Sequence, residues 1–188
     1  GLGPEAARCP RGMALVDGRF CIDRWEATLL VRRGSKEEPH TPYEPVDDVH
    51  APMRAVSLPG VVPQGYVSGA QAEAACRGSG KRLCTANEWE TACRGSQRTQ
   101  FPYGNERRAR ACNDDVRAVH PVVEAAQRMG IPAEDRWKTG MNLALVNQLP
   151  DGLLPTGARE ECVTTDGAFD MVGNLHEWIA DPDGTFRG

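Results

Sequence analysis

Seven cysteines are distributed along 188 residues, at 9, 21, 76, 84, 93, 112 and 162, and no two of them form a Cys-x-x-Cys pair. That pattern does not suit a zinc site, whose ligands usually come in close pairs. It suits a disulfide framework laid down in an oxidising compartment. The count is odd, so at least one thiol has no disulfide partner within these residues. The expected setting is extracytoplasmic: periplasmic, cell-surface or secreted. A chain of this length can bury a core as a single domain over residues 1–188. Its 20 glycines and 14 prolines exceed average usage of about 12% and are spread throughout, which predicts a loop-rich domain. The net charge of −4 and the 6% aromatic content give no basic surface for nucleic acid. No apolar run is long enough to span a membrane, and the first residues lack the basic start and apolar stretch of a signal peptide.

Residues 1–12 read as a linker or arm. Met13 to Asp23 reads as a hairpin turned at Asp17-Gly18, a strong tight-turn pair, with Cys9 and Cys21 on opposite sides of the turn and open to bridging. Residues 32–65 carry six prolines and many charges and predict an extended surface loop with little regular structure. A helix should follow with Ser68 as its cap, stopped at Gly78 or Gly80. Thr85-Ala86-Asn87-Glu88 fits a capping box opening a second helix that Gly95 ends. Val119 to Met129 reads as a short helix, and 130–160 as irregular. A compact loop over 168–177 should pass into a strand at Trp178, with another beginning near Thr185.

Few residues here suggest chemistry. Asp170 and Glu177 are hard oxygen donors seven positions apart, and Gly173 lets the backbone fold tightly between them. Such a loop can wrap calcium with two carboxylates and backbone carbonyls, or it can be a capped turn whose acids pair with arginines. Asn113, Asp114 and Asp115 read as a solvated turn, as does Asp151-Gly152. His40, His50, His120 and His176 lack metal-ligand spacing, and no serine or cysteine nucleophile is marked beside them. Trp89 and Trp178 read as core anchors. In Lys81-Arg82 the arginine is expected to be buried against an acid of the core.

Three stretches together carry a resemblance. Gly80 to Gly95 (GKRLCTANEWETACRG) is similar to a Gly-Lys-Arg-Leu-Pro-Thr-x-x-Glu-Trp-Glu signature, Phe101 to Asn105 to a Tyr/Phe-Pro-Trp-Gly-Asn turn, and Asp170 to Trp178 (DMVGNLHEW) to an Asp-Met-x-Gly-Asn-Val-Trp-Glu-Trp segment. All three belong, in this order, to the formylglycine-generating enzyme (sulfatase-modifying factor) family. The resemblance implies an irregular α+β fold similar to the C-type lectin fold, low in regular secondary structure and stabilised by disulfides. It implies calcium at the side chains of Asp170 and Glu177 with the carbonyls of Gly173 and Leu175, and a second site at Asn113 and Asp151. It also implies the pairs Cys9–Cys21 and Cys112–Cys162, leaving Cys76, Cys84 and Cys93 to seek partners elsewhere. Cys84 stands where the family has proline.

Active members of that family hold copper through two cysteines in a C-terminal segment that follows an Arg-Gly-Gly-Ser-like strand. The chain reaches Arg187-Gly188 at that point, so no catalytic residue is assigned, and copper is expected only if a further segment carries the pair. The expected function is a non-catalytic, calcium-stabilised extracytoplasmic binding or structural module. It would take a protein or peptide partner, possibly a complementing C-terminal chain. The competing expectation is a fragment of a copper-dependent oxidase that converts a peptide cysteine to formylglycine. A non-heme-iron sulfoxide synthase is a weaker third, since it needs a separate helical domain.

Overall fold

The computed structural model describes residues 9–188; the first eight residues of the expected arm lie outside the described residues. Residues 9–12 are docked rather than free. The Cys9–Cys21 disulfide joins them to the first hairpin, and the Gly12 carbonyl accepts from Arg24 N–H at 2.9 Å and Ser57 Oγ at 3.3 Å.

The hairpin pairs β1 (Met13–Val16) with β2 (Phe20–Asp23) antiparallel. A three-residue connection, Asp17 to Arg19, joins them: Asp17 and Gly18 take the left-handed φ of 49° and 64°, and the Arg19 N–H closes the turn on the Val16 carbonyl at 2.9 Å. Ala14, Val16 and Ile22 are buried. With Trp89, Ala92, Ala168, Met171 and Ile179 they form the first core cluster.

The stretch from 32 to 65 departs from the expected loop. β3 (Ala27–Arg33) is the centre of a three-stranded antiparallel sheet, flanked by β4 (Lys36–Pro39) and β5 (Met53–Ser57). Thr28, Leu29 and Val31 of β3 are buried, so the strand makes its own apolar contacts. β4 is exposed at every residue and closes on a proline, an arrangement tolerated at a sheet edge because no further strand needs its donors. Charges that suggest a loop in the sequence are cross-strand ligands here: Arg54 donates two hydrogen bonds to Glu37, at 2.8 and 2.7 Å.

α1 (Gly69–Gly78) opens with a full capping box, Ser68 with Gln71, and packs on β5 around Ala75. Gly78 lies so close to the Met53 carbonyl that an added Cβ would sit 2.3 Å from it, which fixes glycine at that end of the helix. α2 (Ala86–Arg94) opens with the Thr85–Glu88 capping box and is followed by Gly95 at φ 64°. Its buried side, Trp89 and Ala92, faces the hairpin. α3 (Pro121–Arg128) has proline in its first turn, and the Val122 N–H donates to His120 Nδ1. Three single-turn 3-10 segments follow between residues 133 and 148. The excursion holding them is closed at its base by the Cys112–Cys162 disulfide, both cysteines fully buried. β6 (Glu177–Trp178) pairs with β7 (Phe186–Arg187). No helix is long and apolar enough to cross a membrane among the described residues.

Candidate functional site

The loop from Asp170 to Leu175 is a sequence of tight reversals. Asp170, Gly173 and Asn174 have φ of 56°, 75° and 61°. Left-handed backbone at residues with side chains is costly and persists only where surrounding contacts hold it. Several do. Asp170 N–H donates to the Cys162 carbonyl at 3.0 Å, and Asn174 N–H to the Asn113 carbonyl at 3.2 Å. Gly173 forms a parallel bridge with Asn113, so close that an added Cβ would lie 2.4 Å from the Asn113 oxygen.

Three carboxylates surround this loop. Asp170, 4% exposed, accepts the Gly157 N–H through Oδ2 at 2.7 Å. Glu177 accepts the indole N–H of Trp89 through Oε2. Glu26, 6% exposed and placed just before β3, accepts the Leu175 N–H at 2.8 Å and the Asn174 Nδ2 at 2.6 Å. All three are pushed up from the ordinary carboxylate range. For Glu26 burial leads, with the Glu177 charge next, against the hydrogen bond from Asn174. For Asp170 burial outweighs the Gly157 hydrogen bond. For Glu177 burial lifts the carboxyl to about 7 against the Trp89 hydrogen bond, and the Asp170 charge adds to the lift. No basic side chain is among the influences on any of them. Among the described residues these acids therefore have no arginine partner, which goes against the capped-turn alternative.

The predicted second group partly converges on the first. Asn113 donates through Nδ2 to the Gly152 carbonyl at 2.7 Å and to Asn174 Oδ1 at 3.0 Å. Its own Oδ1 is buried without a hydrogen-bond partner, a costly state for a polar atom unless something outside the protein satisfies it. The Gly152 bond brings the 151–152 turn to Asn113. Asp151 itself is exposed, at φ 54°. Among the described residues no three His, Cys, Asp or Glu side chains converge as a metal cluster. Any cation here would rely on amide and backbone oxygens beside the carboxylates. That hard-oxygen donor set fits calcium.

Neither Glu26 nor Asn174 is singled out in the sequence. Glu26 lies 148 positions from its partner Asn174, and no local pattern marks it. The Lys81-Arg82 expectation is also corrected. Lys81 holds Asp23 at 2.6 Å with both side chains largely covered, whereas Arg82 is well exposed and pairs with Glu88. Arginine's longer fork reaches Glu88 at the surface, where it supports the Thr85 cap. Trp89 is buried as expected. Trp178 is only partly buried and is held by its indole N–H on the Val67 carbonyl at 2.8 Å.

A groove of about 500 Å³ runs between the first hairpin, α1, α2 and β6, lined by Leu29, Cys76, Cys84, Trp89, Glu177 and Trp178 among others. Cys76, Cys84 and Cys93 are free and partly buried. Burial, with the Glu88 charge behind it, pushes the Cys84 thiol up to about 12, and burial followed by the Glu177 charge lifts Cys93 to about 11. Thiols so placed are protonated at neutral pH and poor nucleophiles.

These features define an α+β domain with short strands and few helices, fastened by two disulfides and centred on an acidic loop. Residues 46–187 match the sulfatase-modifying factor enzyme 1-like domain, and the chain belongs to that family. It is also 31% identical over 119 residues to a protein of Bos taurus named "Inactive C-alpha-formylglycine-generating enzyme 2". That alignment covers 63% of this chain and 32% of the relative, so the chain spans about a third of the relative's length.

Proposed function

We propose that this domain is a non-catalytic, calcium-stabilised binding or structural module of its family, working outside the cytoplasm. The observation that carries the calcium reading is the trio Glu26, Asp170 and Glu177, buried or half-buried around one loop with no basic side chain to balance them. Unbalanced carboxylates of this kind either take up protons or bind a cation. Asp170 and Glu177 side chains with the Gly173 and Leu175 carbonyls would hold one calcium. Asn113, whose Oδ1 lacks a partner, would hold a second with the turn at Asp151. The cation's role is structural: it supplies positive charge where the fold has placed only negative charge. Two disulfides fit an oxidising compartment, and the family's C-type-lectin-like architecture is the fold we assign to the module.

The non-catalytic reading is supported by the name of the Bos taurus relative. Cys84 and Cys93 are not the C-terminal pair through which active members hold copper, and burial keeps both protonated, so they offer no ready substitute for it. The apolar groove beside β6 is the surface on which a protein or peptide partner, such as a complementing C-terminal chain, would lie.

Calcium is tested by thermal denaturation with 1 mM Ca²⁺ against excess chelator. A ligand at about 100 times its Kd stabilises the native state by about 2.7 kcal/mol, and the midpoint should fall by several degrees on chelation. Identical curves refute the calcium reading. Non-catalysis is tested separately by copper loading and incubation with a cysteine-containing peptide: oxygen-dependent loss of the peptide thiol with gain of aldehyde refutes it.

A further inference from the structure

The two proposed cation loops share one hydrogen-bonded body, and its centre is the Asn174 amide. Asn174 Nδ2 donates to Glu26 at 2.6 Å and to the Leu154 carbonyl at 3.1 Å. Its Oδ1 accepts from Asn113 Nδ2 at 3.0 Å and from the Leu154 N–H at 2.9 Å. Glu26 closes the other side by accepting the Leu175 N–H. Directions are fixed from end to end. A carboxylate only accepts, so Glu26 takes the amide nitrogen of Asn174. The amide oxygen then faces Asn113, which must answer with Nδ2. Asn113 Oδ1 is left without a protein partner. The Asn113–Gly173 bridge joins the same two loops through their backbones.

We propose that Glu26 and Asn174 fasten the two loops into one cooperative cation-binding unit, in which Ca²⁺ at the Asp170–Glu177 loop raises the affinity of the Asn113–Asp151 turn. This rests on the calcium reading above. When ionised with no cation between them, Glu26, Asp170 and Glu177 oppose one another around the loop, which weakens the hold of Glu26 on the Asn174–Leu175 backbone. A divalent ion offsets that repulsion and draws the backbone in. Asn113 is carried with it through the Asn174 amide, so the first ion meets part of the ordering cost of the second. Glu26 is a positioning residue in this scheme, since its oxygens are occupied by Leu175 and Asn174. Binding linkage makes the effect reciprocal, and couplings of this kind typically amount to about 5–150-fold in affinity.

Isothermal titration of the chain with Ca²⁺ tests it, alongside Tb³⁺ luminescence excited through tryptophan. Trp89 is bonded to Glu177, so sensitised emission reports the first loop. The expected result is two bound Ca²⁺ in the unaltered chain. Asp170→Asn, which keeps an oxygen for the Gly157 N–H, should lose the emission and weaken the remaining Ca²⁺ by about fivefold or more. Glu177→Gln serves the same purpose if near-ultraviolet circular dichroism shows that Asp170→Asn is misfolded. Glu26→Gln should weaken both ions. Combining Glu26→Gln with Asn174→Asp exchanges amide and carboxylate, preserves a hydrogen bond between the two positions and should recover most of that loss; a merely structural contact predicts no such recovery in affinity. One Ca²⁺ in the unaltered chain, or an unchanged second affinity in both loop variants, overturns the coupling and leaves the calcium reading standing. Binding of no Ca²⁺ overturns both.

Discussion

Replacing Gly173 with alanine puts a methyl group 2.4 Å from the Asn113 carbonyl oxygen and 2.6 Å from its carbon. Both obstacles are backbone atoms, so no side chain can rotate away. The position also has φ of 75°, where a Cβ costs about 1–2 kcal/mol. Relieving the overlap means separating the loops by close to an ångström. That distance breaks the 3.2 Å bond from Asn174 N–H to the Asn113 carbonyl and strains the 3.0 Å bond between their side chains, each worth about 1 kcal/mol net. The expected loss is about 3–4 kcal/mol. For a domain of this size it corresponds to a fall in Tm of about 6–16 °C. Gly184→Ala is the control. Its φ is similar, at 68°, but nothing lies within 4 Å of the new Cβ, so only the conformational cost remains, about 2–8 °C in Tm. Differential scanning calorimetry of the two variants beside the unaltered chain, all in chelator, separates the steric contribution from any cation. A fall for Gly173→Ala no larger than that for Gly184→Ala refutes the close approach of the two loops.

Removing the second disulfide by Cys112→Ala with Cys162→Ala opens a loop of 50 residues. Chain-entropy reasoning gives a loss of about 4 kcal/mol, read by urea denaturation, and a loss under 1 kcal/mol would show that the excursion is held by other contacts. Glu88 is pulled down to about 2 by the Arg82 hydrogen bond, which outweighs burial, with the Thr85 N–H helping. A depressed carboxylate stabilises the fold above its unfolded value near about 4.3 and loses that contribution as pH falls toward 2. The gap in urea midpoint between the unaltered chain and Glu88→Gln should therefore be full at neutral pH and close between about pH 4 and 2; a constant gap would remove the ion pair from the explanation. Thr85→Ala should cost about 1 kcal/mol at pH 7 through loss of the α2 cap, also read by urea midpoint. Cys84 and Cys93, at about 12 and 11, should be alkylated by iodoacetamide at pH 8 at least about 100-fold more slowly than an ordinary exposed cysteine. Peptide mass spectrometry follows the rate, and rapid labelling of either would show that the thiols are not enclosed.

Punctuation was the legible part of this fold. Asp17-Gly18, Ser68, Thr85, Gly78 and Gly95 each act through their own local geometry, and each falls where its chemistry requires. The central sheet was not legible, because its strands are stabilised by their neighbours. Lys36–Pro39 has no apolar side at all and is a strand only because β3 offers it donors and acceptors. Of the β5 residues only Ala55 is buried. The acidic loop was visible in Asp170, Gly173 and Glu177, which lie within one short segment. Its third carboxylate was not, since Glu26 arrives from the opposite end of the chain and its environment exists only after folding.

The buried Cys112–Cys162 bridge has a consequence for how this domain can change. It pins the two feet of an excursion that carries α3 and the single-turn helices, together with four of the six large apolar side chains that are exposed among the described residues: Val119, Met129, Trp137 and Met141. Between fixed feet, changes at those four exposed positions alter the outer surface, whereas Leu143, Leu154 and Thr156 of the same excursion are bonded to the frame and are not free to move. The excursion is thus a graft on a stock, and a new surface can be tried there while the disulfide keeps the graft union intact.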